Sequence, residues 1–131
     1  MEGGEPNDRF SSYWDDDTEM TYPLILAKIP VKNPWEIFAY LPFGNWNDCP
    51  DIPELMAAAK YWFEQYGAVP AAMSHDELEF LLPAPVPKEK AMDAAVELYG
   101  FCPDLDQNED GSIGSLADVL RQSTVWYFWW D

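Results

Sequence analysis

The stretch DIPELMAAAKYWFEQYGAVPAAMSHDELEFLL, residues 51–82, decides the fold because it encodes a capped helix followed by two strands. Asp51 is a preferred helix N-cap, and Glu54 follows three residues later, as in a capping box. Apolar residues then recur at helical spacing up to Tyr66, and Gly67 supplies the C′ residue. AVPAAM and ELEFLL are typical of strands, with SHDE as the turn between them. The stretch therefore predicts a helix followed by a β-hairpin.

Downstream of this stretch, the sequence predicts two more helices and a final strand. The segment PAPVP (83–87) is a stiff linker, and Pro87 is placed to start a second helix. Ser115 and Asp118 can together cap a short third helix. The chain closes on TVWYFWWD (124–131), whose two faces are both apolar. This predicts either an interior strand covered on both sides or a strand with one apolar face left exposed for binding.

Upstream, two further strands are expected. LILAKIPV (24–31) reads as a buried strand and IFAYLPF (37–43) as a second one, with prolines between them. Residues 1–20 hold seven acids against one arginine and predict a mobile acidic tail, whose end Tyr13 and Trp14 could dock onto the domain.

Taken in order, the elements predict a single α+β domain over residues 21–131. Its sheet is expected to be mixed or antiparallel, with two main helices packed on it. A ferredoxin-like βαββαβ core with an N-terminal strand addition is one arrangement that fits this order.

Composition is consistent with one folded domain of strongly acidic character. The chain has 131 residues, of which 48% are hydrophobic and 16% aromatic, enough for a sizeable core. Seven basic against 24 acidic residues give a net charge of −17. This charge repels nucleic acids and anionic membranes, and it attracts cations or basic protein surfaces. We therefore expect a basic protein partner and no nucleic-acid or membrane partner, although acidity also serves solubility alone.

The expected location is the cytosol. The N-terminal MEGGEPNDRF lacks the basic and apolar segments of a secretion signal, and no run approaches the roughly 18 apolar residues of a membrane span. Only two cysteines occur, and in this compartment their thiols are expected to be reduced.

The tripeptide Cys-Pro-Asp occurs twice, at residues 49–51 and 102–104. In one interpretation the thiols are zinc ligands or a nucleophile, with His75 as a third ligand or general base. The chain has no CxxC pair, however, and only three nitrogen or sulfur ligands. In the other interpretation each Cys is buried, Pro ends one element and Asp caps the next.

Two acids of the predicted hairpin also allow two interpretations. Glu77 and Glu79 lie on one strand face, and they are either an acid pair or the polar face of a strand.

The loop DQNEDGSIGSLAD, residues 106–118, partly matches a calcium-binding EF-hand loop. Suitable residues occupy positions 1, 3, 5, 6 and 8 of that motif, and they are Asp106, Asn108, Asp110, Gly111 and Ile113. Position 12, which should carry a bidentate carboxylate, is Ala117. The loop is therefore either a weak calcium site formed by the first three residues or a solvated acidic turn.

Several short motifs resemble a bacterial family called domain of unknown function 4253. They are FCPD at 101–104, Gln107, FWWD at 128–131, Trp62 with Tyr66-Gly67-Ala68, and Asp76-x-Leu78. The resemblance covers roughly residues 22–131. It implies a cytosolic bacterial protein, but no established activity, cofactor or catalytic residue. It places Trp46, Cys49, Cys102, Asp104, Gln107, Trp130 and Asp131 at family motif positions, whereas NEDGSIG matches no family motif.

Three functional hypotheses follow. The first is a non-catalytic protein that needs no cofactor and acts by protein contact, such as an immunity-type inhibitor that covers a basic toxin nuclease. The second is an enzyme or ligand-binding protein with a pocket around Cys49, His75, Cys102 and Asp104. The third is a calcium-dependent module built on the 106–110 loop. The sequence gives neither a reaction nor an oligomeric state.

Overall fold

The computed structural model describes residues 8–22, 25–41, 43, 49–102 and 113–130. Two short strands lead into a 3₁₀ helix, a long helix, a hairpin, two further helices and a last strand. The elements are β1 (Trp14–Asp15), β2 (Met20–Thr21), the 3₁₀ helix (Pro34–Ala39), α1 (Ile52–Tyr66), β3 (Val69–Met73), β4 (Glu77–Leu81), α2 (Lys88–Phe101), α3 (Ile113–Leu120) and β5 (Val125–Trp129).

Helix α1 forms as the sequence predicts. The Asp51 side chain accepts a hydrogen bond from the Glu54 backbone N–H at 3.0 Å, which satisfies one of the donors left unpaired at the first turn. Gly67 ends the helix at φ 75°, a left-handed conformation that glycine adopts without a Cβ penalty. One stripe of the helix is buried, and it consists of Leu55, Ala59 and Trp62.

The main sheet has the order β3-β4-β5 and is antiparallel throughout. Its inner face, which packs on the helices, is buried and consists of Leu78, Phe80, Leu82, Trp126, Phe128 and Trp130. Trp62 of α1 stacks on Phe128 with ring centroids 5.6 Å apart and an interplanar angle of 8°. Phe101 of α2 meets Phe128 of β5 edge-on, with ring centroids 5.4 Å apart. Both main helices thus pack on the sheet through aromatic contacts.

The α+β class is confirmed, whereas the two upstream strands are wrong. Residues 25–31 form no regular element, and Ile25 and Leu26 are 91% and 95% exposed. Most of the second predicted strand, 37–43, lies in or just after the 3₁₀ helix, which begins at Pro34 because proline is pre-organised for a first helical turn. The described residues therefore build a three-stranded antiparallel sheet, and they provide this sheet with no strand that precedes the first helix, which a ferredoxin-like βαββαβ core has.

One of the two predicted helix starts needs correction. Pro87 stands at the start of α2 as predicted, since it is the N-cap residue of a helix that begins at Lys88. Ser115 does not cap α3, because it lies inside a helix that already includes Ile113, and its side chain is buried.

Residues 8–22, called the arm below, contain the β1–β2 hairpin. The backbone N–H of Tyr22 donates to the Tyr13 carbonyl at 2.8 Å and closes its base. The tail boundary expected at residue 20 falls inside β2, and mobility of residues 1–20 as a whole stays a prediction. Among the described residues, no helix is both long enough and apolar enough to cross a membrane.

Candidate functional site

The outer face of the sheet, opposite the helices, carries polar and aromatic side chains on β4 and β5. Because side chains alternate along a strand, Glu77 and Glu79 of β4 share this face with Tyr127 and Trp129 of β5. The predicted common face of the two acids is thus confirmed. The two acids differ in environment, however, since Glu77 is half-buried and Glu79 has no exposed surface.

Glu79 is buried beneath the arm and is held by backbone donors. The Ser11 N–H lies 3.1 Å from both carboxylate oxygens, and the Ser12 N–H lies 2.9 Å from Oε1. A buried carboxylate requires such donors, because desolvation without hydrogen bonds is costly. No sequence signal indicated this contact, since the partners are 68 and 67 residues apart.

Glu77 organises the neighbouring part of the face. The Tyr127 hydroxyl donates to its Oε2 at 2.5 Å, and the Ser74 hydroxyl donates to its Oε1 at 3.1 Å. Burial raises the pKa of Tyr127 above its usual value, and the hydrogen bond to Glu77 raises this pKa further. The Tyr127 hydroxyl therefore stays protonated and fixes the position of the carboxylate.

Asp76 links the turn before β4 to the end of β5. Its Oδ2 accepts a hydrogen bond from Trp129 Nε1 at 3.0 Å and lies 3.4 Å from His75 Nε2. The side chain of His75 is 90% exposed. The turn therefore presents an acid and an exposed imidazole beside a half-buried indole.

A cleft of about 1040 Å³ opens on this outer face. It lies between the arm, the segment after the arm, the 3₁₀ helix and the β3–β4 hairpin. Most of its walls are aromatic or aliphatic, and the lining includes Phe10, Tyr13, Tyr22, Ile25, Leu26, Ile29, Ile37, Leu41, Met73 and Trp129. Asp76 and Glu77 supply the charged part of the wall, and none of its described lining residues is Lys or Arg.

Further acids surround Tyr22 at one side of the cleft. The charge of Asp15 raises the pKa of the Tyr22 hydroxyl most, followed by desolvation and by the charges of Asp17, Glu77 and Asp16. Carboxylates of the β1–β2 turn and of β4 therefore act on the same aromatic side chain. The cleft combines an apolar interior with a negative field.

The thiols and the histidine occupy different environments. Cys102 has no exposed surface, and its Sγ donates to the Trp129 carbonyl at 3.1 Å, while Cys49 is also buried. His75 is exposed and lines the cleft, which neither thiol does. Of the described residues of the proposed Cys/His pocket, only His75 therefore lines this cleft.

The remaining motif residues divide between the core and undescribed parts of the chain. Trp130 is buried against Phe43, Phe101 and Phe128, and its contact with Phe101 connects the end of β5 to α2. The other candidates lie outside the described residues, and they are Trp46, Asp104, Gln107, Asp131 and the calcium candidates Asp106, Asn108 and Asp110. Calcium binding therefore stays a prediction. Within the described ranges, no group of three or more metal-ligating side chains is arranged to hold an ion.

Comparison with known families agrees with the motif resemblance. The model of the domain of unknown function (DUF4253) matches residues 25–131, and the chain belongs to this family. No curated protein and no solved structure matches it. The matched range contains the 3₁₀ helix, the three α-helices and the three-stranded sheet, whereas the arm precedes it. Glu79 thus belongs to the family domain, and the segment that covers it does not.

Proposed function

We propose that this protein is a non-catalytic binding protein whose outer-face cleft receives a basic segment with apolar anchors from a partner protein. The observation that carries the proposal is the cleft wall, in which Asp76 and Glu77 face an aromatic and aliphatic lining that contains no Lys or Arg among its described residues. A matching ligand would offer positive charge and apolar side chains close together.

The charge of the whole chain supports this choice of partner. A net charge of −17 attracts basic proteins over distances longer than any single contact, and it raises the rate of encounter at low ionic strength. The acids of the β1–β2 turn add to the local field at Tyr22. A basic partner is thus favoured both in solution and at the cleft.

The apolar part of the cleft supports binding to a protein rather than simple ion attraction. Ile25 and Leu26 are almost fully exposed beside the aromatic lining, and adjacent exposed apolar residues of this kind mark contact surfaces. Tyr22 is 50% exposed and Trp129 is half-buried, and both are residue types enriched at interface hot spots. The segment after the arm would supply much of the contact.

We further propose that the partner is a basic enzyme in the bacterial cytosol, which this protein inhibits by covering it, as an immunity-type inhibitor does. Covering an active site requires shape and charge complementarity and no catalytic group. The burial of both thiols, away from the exposed histidine, is consistent with a protein that performs no Cys/His chemistry.

The test is a pull-down with the tagged full-length protein from native cytosol, read by mass spectrometry with and without EDTA. We expect one strongly basic protein in near-equal amounts under both conditions. Ile25→Ser with Leu26→Ser should reduce its recovery by about tenfold or more, because apolar anchors at an interface typically contribute over 1 kcal/mol each. The folds of the variants can be compared by circular dichroism.

The matched control is Met92→Ser with Val96→Ser, which also removes two exposed apolar side chains, at 51% and 57% exposure, but on α2. This variant should recover the partner like the wild type. Equal losses in both variants would argue against the cleft, and capture of no basic protein would reject the proposed function. Recovery that depends on the absence of EDTA would instead support the calcium hypothesis.

A further inference from the structure

The arm is attached to the sheet mainly by polar contacts. Its aromatic and apolar side chains remain substantially exposed, at 36% for Tyr13, 41% for Trp14, 66% for Met20 and 50% for Tyr22. Its two strands are only two residues long each, and such a hairpin has little stability of its own. Short segments with few buried apolar residues open at low free energy.

The strongest attachment of the arm is the Glu79 carboxylate. Glu79 lies on the central strand of the sheet, so its position is fixed by pairing on both sides. Its closest donors are the backbone N–H groups of Ser11 and Ser12, the Ser11 hydroxyl is a longer donor at 3.5 Å, and the described residues place no Lys or Arg within ion-pair distance of it. The family domain thus contributes a fixed acceptor, while the arm, outside the matched range, contributes exchangeable donors.

The two N–H groups are arranged like the N–H donors of an arginine guanidinium. They approach two oxygens of one carboxylate from adjacent positions, and an arginine guanidinium presents two N–H donors to a carboxylate in the same way. A guanidinium would also add the positive charge that the serine amides lack. Tyr127 and Trp129 lie on the same face, where aromatic rings can stack on a guanidinium.

We propose that the arm is a displaceable cover, and that an arginine of the basic partner segment replaces the Ser11 and Ser12 amides at Glu79. This inference rests on the proposed function, because it concerns the partner of the same cleft. The closed arm lowers the apparent affinity of the partner, since only the open fraction binds. The covered site also discriminates against weak cationic ligands, which cannot displace two hydrogen bonds.

The test removes the two N–H groups without changing the domain. In the full-length protein, Ser11→Pro with Ser12→Pro deletes both donors, whereas the control Ser11→Ala with Ser12→Ala keeps them. The probe is the capped peptide acetyl-Leu-Arg-Leu-Arg-Leu-Arg-amide, measured by calorimetry at low salt. Its counterpart with citrulline at each arginine position keeps the shape but lacks the charge.

We expect the proline variant to bind the arginine peptide about tenfold more tightly than the wild type or the alanine variant, since charge-assisted hydrogen bonds change an equilibrium by about that factor. Amide exchange at Tyr22, whose N–H closes the hairpin, should become faster in the proline variant but not in the alanine variant. Glu79→Gln should also speed this exchange, but it should weaken binding of the peptide. The citrulline peptide should bind none of the proteins measurably.

The outcomes separate this inference from the proposed function. In one outcome, the wild type, the proline variant and the alanine variant bind the peptide with equal affinity, although amide exchange at Tyr22 is faster in the proline variant. This outcome overturns the displaceable cover but leaves the cleft as a binding site. Binding of the arginine peptide to none of them overturns both proposals. Unchanged exchange at Tyr22 in both the proline and the Glu79→Gln variants overturns the role of Glu79 as the attachment point.

Discussion

At the scale of single residues, two half-buried tyrosines report how the helices and the sheet are packed. The Tyr66 hydroxyl donates to Glu97 Oε1 at 3.4 Å, from α1 to α2. Burial raises the pKa of Tyr66 to about 12, and the charge of Glu97 contributes to the same shift. Tyr127, beside Glu77 on the outer face, also has a raised pKa, again mainly because of burial.

These shifts make stability depend on pH in the alkaline range. A tyrosine titrates near pH 10 when unfolded, so the folded state holds the Tyr66 proton more tightly between pH 10 and about 12. Its contribution is complete below pH 10 and is lost as the pH rises toward 12. We expect urea midpoints to fall over this range, and to fall less for Tyr66→Phe. Parallel declines in both proteins, measured by tryptophan fluorescence, would contradict the assignment.

At the scale of elements, the end of α1 offers a direct test of backbone conformation. Gly67 has φ 75°, and an added Cβ would lie 3.0 Å from Pro83 Cγ. Gly67→Ala should therefore destabilise the fold by about 2 kcal/mol, from left-handed strain and crowding together. Gly100→Ala is the control, because Gly100 lies within α2, and no atom of the described residues outside its own helical turn lies within 4 Å of its added Cβ. It should stabilise by about 0.5 kcal/mol.

Both values can be measured by urea unfolding at 25 °C. Similar changes in the free energy of unfolding for the two variants would mean that the backbone conformation at position 67 does not require glycine. A large loss for Gly100→Ala alone would contradict the helical environment of that residue.

The elements that the sequence predicts correctly are those with local signals. The Asp51 cap, the apolar stripe ending at Tyr66 and the glycine stop all lie within one short stretch, so α1 is specified by neighbouring residues. The alternation in β4 is similarly local. By contrast, 24–31 has apolar residues typical of a strand, but a strand needs a partner, and nothing in the sequence indicates that these residues lack a place in the sheet.

The candidate site is less predictable than the fold for the same reason. The shared face of Glu77 and Glu79 follows from strand alternation, but the burial of Glu79 depends on Ser11 and Ser12, almost 70 residues away. Serine in an acidic segment carries no sign of such a contact, because the donors are backbone N–H groups that every residue but proline has. The functional importance that we assign to the arm therefore becomes visible only in three dimensions.

At the scale of the whole molecule, the net charge of −17 acts on folding and on binding in opposite directions. Repulsion among carboxylates disfavours the compact state, and the same charges would attract the basic partner that we propose. Salt screens both effects, because the Debye length falls from about 30 Å at 0.01 M to about 10 Å at 0.1 M. The two processes can therefore be separated by their response to ionic strength.

We expect added NaCl to raise the Tm by a few degrees, which corresponds to about 1 kcal/mol for a chain of this size, while it weakens binding of the arginine peptide. The control neutralises the exposed acids Asp16, Asp17 and Glu89 as Asn, Asn and Gln, changing the charge by three from −17 to −14. This variant should have a smaller salt-dependent rise in Tm, because less repulsion remains to be screened.

Two outcomes would contradict these expectations. A Tm that falls with salt would show that favourable ion pairs outweigh repulsion in this fold. Peptide binding that is insensitive to salt would mean that apolar contacts dominate the cleft, and that the acids on its wall do not select a basic partner.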